Sequence, residues 1–232
     1  MAELSTRSAV SVPTLKFYLR EGLLPAGRPT ARNQAEYDDL HVQRVRLIRA
    51  LVDIGGLSIA AVRDVVAAVD APRRSVESVV GVVHHALTPP SGVPDDAALT
   101  AARSEVDGWL AELGWQVSAR APARRTLAEA LVSLRRLGRA AVPPDFAAYA
   151  SAADQLAAWE LDQTLGDPPD SRAELVERVV VGTVVYEAVL LALRRLAQEH
   201  QFALRSSVAG QTGAGGTGAG PARRRPYDQG RR

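Results

Sequence analysis

Apolar positions in the first 70 or so residues recur at helical spacing in short runs, each cut off by glycine or proline. Leu4 to Ala9 predicts a short first helix. Ser11 then stands where it can cap a second, with Pro13 in the first turn, where a missing N–H costs little. This helix runs to about Glu21 and stops at Gly22. Within it Val12, Leu15 and Leu19 share one stripe, Pro13, Thr14, Phe17 and Arg20 lie toward the other side, and Lys16 and Tyr18 flank the two. Leu23, Leu24 and Pro25 lead into a polar, breaker-rich loop over residues 26–36. Asp38 or Asp39 caps a third helix with Leu40, Leu47, Ile48 and Leu51 inside, ended by Gly55 and Gly56. Ser58 caps a fourth, with Ile59, Val62, Val66 and Val69 as its stripe. Helix, turn, helix, wing and two supporting helices make up a winged helix-turn-helix, and its second helix has one dry side and one cationic-aromatic side, as entry into a major groove requires.

The rest of the chain is helical by period, with no alternation of period two to compete. Ser75 to Leu87 predicts a connecting helix, closed by the breaker cluster Thr88 to Pro94. Pro122 opens a helix with the stripe Leu127, Leu131, Leu134 and Leu137, stopped at Gly138. Asp145 starts another, with Phe146, Tyr149, Ala153, Leu156 and Trp159 roughly on one side. Ser171 and Glu174 have the spacing of a capping box for the longest helix, about residues 172–202. That helix is apolar nearly all round in its middle, so neighbours or a second subunit must cover it. From residue 206 the chain turns glycine-rich and then arginine-rich, too poor in apolar surface to order itself. The fold class expected is therefore mainly α. It comprises a winged helix-turn-helix over residues 1–70, a connecting helix and proline-rich linker over 71–94, a helical dimerisation and effector domain over 95–205, and a disordered tail over 206–232.

Composition narrows the chemistry. The net charge of +2 is too small for a protein that holds nucleic acid by bulk charge alone, and Lys16 is the only lysine in the chain. Reliance on arginine, alanine, glycine, proline and valine fits a high-GC bacterial genome. Cysteine is absent, which rules out disulfides and thiolate metal sites. The histidines His41, His84, His85 and His200 lack a metal-ligand spacing, so no metal and no cofactor are expected. Val179 to Leu193 is apolar over 15 residues but is flanked by Arg178 and Arg194, and a bilayer span needs about 20. A core helix, no membrane partner and a cytoplasmic, nucleoid-associated location are the expectation. Neither a glycine-rich phosphate loop nor a nucleophile elbow is present, and Asp154, Glu160 and Asp162 fall on helix surfaces, so no catalytic residues and no enzyme are expected.

The segments AVSVPTLKFYLREGLLP (Ala9 to Pro25), YDDLHVQRVRLIRAL (Tyr37 to Leu51) and GGLSIAAVRDVV (Gly55 to Val66), with Arg28 and Arg32 between the first two, resemble the MerR family of bacterial transcription regulators. The resemblance covers about the first 70 residues. It implies that the segment around Thr14 to Tyr18 is the groove-reading helix and that the wing after Leu24 grips the phosphate backbone. It implies that Thr14, Lys16, Phe17 and Tyr18 read or clamp DNA and that Arg28 and Arg32 contact phosphates; Ser11, Pro13, Arg20 and Asn33 complete the expected DNA-facing set, the alternative for Phe17 and Tyr18 being a place in the core. Arg44, Arg46 and Arg49 are expected on a solvated face. The sequence departs from the family where Ala9 replaces a usual glycine, where Lys16 replaces a usual arginine, and where Asn33, Gln34 and Ala35 replace Gly-Tyr-Arg in the wing.

The family also implies a homodimer on double-stranded DNA, at a palindromic or pseudo-palindromic promoter site, with RNA polymerase as a further partner. The family's long dimer helix falls near residues 75–105, where Pro89, Pro90 and Pro94 interrupt it here, so the helix over residues 172–202 is the alternative dimer element. Activation by untwisting a promoter spacer and repression by blocking polymerase both stay open. Trp109, Trp115, Tyr149, Trp159, Tyr186 and Glu187 suggest an apolar pocket with one buried carboxylate for a small organic effector, the alternative being that they fill a core. The competing function is a helical ligand-binding or protein-interaction protein whose winged helix no longer reads DNA. The glycine- and arginine-rich tail is either a solubilising end or a salt-sensitive phosphate contact.

Overall fold

The computed structural model describes residues 1–31, 34–166, 169 and 171–213. Its elements are α1 (Ala2–Ser8), α2 (Val12–Arg20), β1 (Arg28–Ala31), β2 (Gln34–Glu36), α3 (Asp39–Arg49), α4 (Ile59–Asp70), α5 (Val76–Leu87), α6 (Ala97–Glu112), α7 (Pro122–Arg136), α8 (Ala147–Leu165) and α9 (Arg172–Gly213). The fold is mainly α, and the strands pair antiparallel as a wing. The chain forms two compact units, Met1–Ala188 and a second beginning at Val189. Among the described residues no helix is long and apolar enough to cross a membrane.

Local chemistry accounts for the boundaries. Serine or aspartate caps six helices from the preceding position: Ser11, Asp38, Ser58, Ser75, Asp96 and Ser171 each accept a hydrogen bond from the backbone N–H three residues on. Asp38 and His41 complete a reciprocal box, because the Asp38 N–H donates to His41 Nδ1 at 3.2 Å. The His41 ring, 2.6 Å from the Asp38 carboxylate, and then the His41 backbone N–H hold that carboxyl below its ordinary range. α3 runs into a π-helical turn, Ala50–Ile54, which hands the chain to Gly55 and Gly56. A Cβ at Gly55 would stand 2.8 Å from the Leu51 carbonyl oxygen and 3.1 Å from Val184 Cγ1 of α9, so the close approach there requires glycine.

The first unit has two apolar cores. One gathers Leu4, Leu15, Leu23, Val45, Ile48, Leu51, Val62 and Val65 from the winged helix-turn-helix. α5 adds Val79 and Val83 to it, and α9 adds Val176, Val180 and Val184. Burial of each large side chain contributes about 1.5–3 kcal/mol. The apolar first part of α9 is thus covered by the winged helix-turn-helix itself. The second core lies between α6 and α7 and centres on Leu99, Val106, Leu110, Leu131 and Val132. Around it Arg135 grips Glu105 through two bonds of 2.9 and 2.6 Å, and Arg136 meets Asp96 at 2.8 Å.

Several expectations need correcting. Leu40 is 64% exposed, because the apolar side of α3 is Val42, Val45 and Ile48. Leu137 is 77% exposed, since α7 ends at Arg136 and buries Ala128, Leu131 and Val132. The side of α8 that carries Tyr149, Leu156 and Trp159 is exposed. α9 continues to Gly213, past the point at which the tail was expected to begin. The remainder of that tail, residues 214–232, lies outside the described residues.

In the second unit the same helix presents Leu190, Leu193, Leu196 and Phe202 as exposed apolar side chains, up to 72% at Phe202.

Candidate nucleic-acid interface

The turn between α1 and α2 sets the angle of the reading helix. Ser5 Oγ donates to the Val10 carbonyl at 2.6 Å, and the Val10 N–H donates back to the Ser5 carbonyl at 3.3 Å. Between them Ala9 adopts φ +55°, ψ +30°, a left-handed conformation in which its Cβ crowds the backbone. Among the described residues it is the only one other than glycine with positive φ. Ala9→Gly is therefore expected to raise unfolding stability by about 1 kcal/mol, readable as a shift in a urea melt.

α2 has a buried and an open side. Leu15 and Tyr18 are buried, and Val12 and Leu19 are half-buried beside them. Tyr18, placed by sequence among the DNA-facing residues or in the core, has its ring in the core, and burial pushes its phenol above the ordinary value. Pro13, Lys16 and Arg20 are exposed on the other side, with Thr14 and Phe17 half-buried among them. The Arg20 guanidinium lies 6.0 Å from the centre of the Phe17 ring, a separation at which the cation is drawn to the ring face. The Ser11 hydroxyl accepts from the Thr14 N–H at 3.3 Å and lies 2.8 Å from the Thr14 hydroxyl, so the pair holds the helix start. Arg63 of α4 reaches the far end, with a 2.7 Å ion pair to Glu21.

After α2, Gly22 at φ +71° reverses the chain, and the Leu23 and Leu24 N–H groups both donate to the Tyr18 carbonyl. Gly27 opens the wing. A Cβ there would lie 2.5 Å from the Glu36 carbonyl oxygen and 2.9 Å from the Tyr37 ring. The strands pair Arg28 with Glu36, Pro29 with Ala35 and Ala31 with Gln34, with an irregularity between Pro29 and Ala31. Arg28 is exposed and its guanidinium pairs with Glu36 at 2.6 Å. The same guanidinium is available to a phosphate, which would compete with Glu36 for it. Glu36→Gln is therefore expected to tighten DNA binding by about threefold at low salt, an effect that added salt should erase. Arg32 and Asn33, the other expected wing contacts, lie outside the described residues.

The three α3 arginines do not form one solvated face. Arg46 and Arg49 are exposed, and Arg49 pairs with Asp53. Arg44 is largely buried and makes a two-pronged pair with Asp70, one bond being 3.0 Å. It also faces Glu177 of α9 at 3.6 Å. Burial raises the Glu177 carboxyl above its ordinary value, against the opposing pull of Arg44.

The six residues expected to form an effector pocket are not brought together. Trp109 is buried on α6, and Trp115 packs on the core between α6 and α7. Tyr149 and Trp159 are exposed on α8, and Glu187 is exposed on α9. Trp159 and Tyr186 alone meet, edge to face at 5.9 Å. A cleft does exist elsewhere, about 550 Å³ in volume, and Tyr186 is the one expected residue that lines it. Its half-buried carboxylate is Glu177, nearly three turns of α9 before the Glu187 singled out by sequence. Glu177, Val181 and Val185 recur four residues apart, and that spacing was the available signal.

A helix with an open cationic-aromatic side, braced by a second helix and flanked by a two-stranded wing, defines a winged helix-turn-helix DNA-binding protein. Residues 1–69 match the family described as MerR HTH family regulatory protein. Over more of its length the chain is similar in structure to SCO5550 from Streptomyces coelicolor A3(2), a candidate transcriptional regulator. The two share 37% identity at a TM-score of 0.71, over 88% of this chain and 96% of that one. No curated protein matches. The chain belongs to the MerR family and is a DNA-binding regulator of transcription.

Proposed function

We propose that the protein acts as a homodimer on a palindromic or pseudo-palindromic promoter site, each subunit laying α2 into the major groove. The observation that carries this reading is the open side of α2, where Pro13, Lys16 and Arg20 are exposed around Phe17 while the opposite side is locked into the core. Lys16, Phe17, Thr14 and Arg20 would meet base edges or flanking phosphates. Arg28, with Arg32 and Asn33, would meet the backbone. Ser11 and Pro13 would fix the helix end nearest the groove, and Tyr18 would support it from behind. One module of this size covers too little DNA for useful specificity, so two half-sites about 34–36 Å apart are the natural target.

The second subunit is assigned to α9. Its exposed Val189, Leu193, Leu196 and Leu204 fall on one side by helical period, an apolar stripe suited to a second copy of the same helix. α5 and α6 are too short to supply the dimer helix, being separated by Pro89, Pro90 and Pro94. The division of labour that follows has residues 1–70 reading DNA, 71–94 connecting and 95–205 supporting dimerisation. RNA polymerase is the partner that a promoter-bound dimer would meet, and a small organic effector would set its occupancy. The reading has no catalytic step, and it places the protein on the nucleoid in a bacterial cytoplasm.

Selection of bound duplexes from a random library tests the function directly. An enriched inverted repeat with one-turn or two-turn half-site spacing is expected. Sequences enriched as single half-sites would contradict the dimer, and no enrichment would favour a protein-interaction role for the winged helix.

A further inference from the structure

The cleft between α3, the end of α8 and α9 has the properties of a ligand site. Its volume of about 550 Å³ lies within the range of about 300–1,000 Å³ that small-molecule sites occupy. Leu47 of α3 and Val181, Val185 and Tyr186 of α9 make an apolar surface. Gly182 keeps the wall open, since a Cβ there would stand 3.2 Å from the Thr164 hydroxyl and 3.7 Å from the Tyr186 ring.

The charges on the lining are not equivalent. Arg178 and Glu174 pair at 2.6 Å, one turn apart on α9. Arg46 is exposed, so water screens its charge. Glu177 differs from these. Its side chain is 16% exposed, and it meets the Arg44 Nε at 3.6 Å, a guanidinium already committed to Asp70. Desolvation is the largest influence on its carboxyl and disfavours the charged form. A carboxylate set into an apolar wall is where an incoming positive charge is held most strongly.

We infer that this cleft binds a small amphipathic amine, with its aliphatic body on Leu47, Val181, Val185 and Tyr186 and its ammonium at Glu177, and that occupancy alters DNA binding through α3. The coupling rests on the DNA-regulator reading above, whereas the site itself does not. α3 carries Leu47 into the cleft and Val45 and Ile48 into the core that supports α2. The Arg44 network ties that helix to Asp70 of α4 and Glu177 of α9. A ligand that favours one arrangement of these helices must change DNA affinity by the same factor by which DNA changes its own.

The test titrates the full chain, by calorimetry, with n-octylamine, n-octanol and octanoate, which share a chain length and differ in head group. Each is kept below its micellar concentration. The amine is expected to bind at least about tenfold more tightly than the other two. Glu177→Gln should abolish that preference while octanol still binds, and Gly182→Leu, which fills the wall, should weaken all three. Thermal melts of both variants check that the fold is intact. Equal affinity for the three probes, or an amine preference that survives Glu177→Gln, would overturn the site. DNA affinity measured with saturating octylamine is expected to change by about fivefold or more. An unchanged value in a protein that binds both would overturn the coupling. Glu177-dependent amine binding by a protein with no affinity for any duplex would support the site and overturn the regulator reading instead.

Discussion

Replacing Gly27 by alanine is expected to dislocate the wing, weaken DNA binding at least about tenfold and lower stability by about 1–3 kcal/mol. The added methyl would lie 2.5 Å from the Glu36 carbonyl oxygen and 2.9 Å from the Tyr37 ring. The first of these is backbone and cannot rotate away. The chain must therefore open the β1–β2 pairing or push Tyr37 off its edge-to-face contact with His41, whose ring centre lies 5.1 Å away. His41 also closes the cap of α3, so strain at Gly27 reaches the start of a supporting helix. Two readouts separate the effects. A urea melt reports the stability cost, and titration of a fixed duplex at a temperature well below unfolding reports the wing. Unchanged DNA affinity would mean that the wing does not grip the backbone.

The second large effect is expected at Lys16. Its side chain is exposed on the open side of α2, one turn before Arg20. Removing a cation that meets a base edge or phosphate costs about 1–3 kcal/mol per site, and a dimer loses it twice, so Lys16→Ala should weaken binding about a hundredfold. Stability should change by less than about 0.5 kcal/mol, because the side chain packs on nothing that folding requires. Lys16→Arg should retain binding, since its planar fork can hold guanine or phosphate through two bonds. A Lys16→Ala protein that binds normally would remove α2 from the recognition surface.

What sequence could and could not reveal follows from the range of the forces involved. Caps and breakers act within four residues, so Ser11, Asp38, Ser58, Ser75 and Pro122 were legible as helix starts, and Gly22 and Gly138 as stops. The stripe of Val12, Leu15 and Leu19 was legible for the same reason. Tyr18 was harder, because a tyrosine at a flanking position can face either way and only the packing of α3 and α4 decides. Arg44 looked like its neighbours on α3 until Asp70 and Glu177, distant in sequence, were brought to it. The apolar middle of α9 declared that it needed covering. That its first part completes the core of the DNA-reading module is a long-range fact which no local pattern carries. Large aromatics and Glu187 mark the pocket that sequence suggests, whereas the cleft takes only Tyr186 of them and adds Leu47, valines, a glycine and the partly desolvated Glu177.

The reading of α2 as a DNA-recognition helix, presented twice by a dimer, is tested most directly by footprinting the purified protein on its selected site at a fixed salt of about 0.1 M, because affinity falls steeply with salt. Two protected half-sites on one face of the duplex, both lost with Lys16→Ala, are expected. Protection that survives Lys16→Ala unchanged, or no protection at any protein concentration that leaves the fold intact, would contradict it.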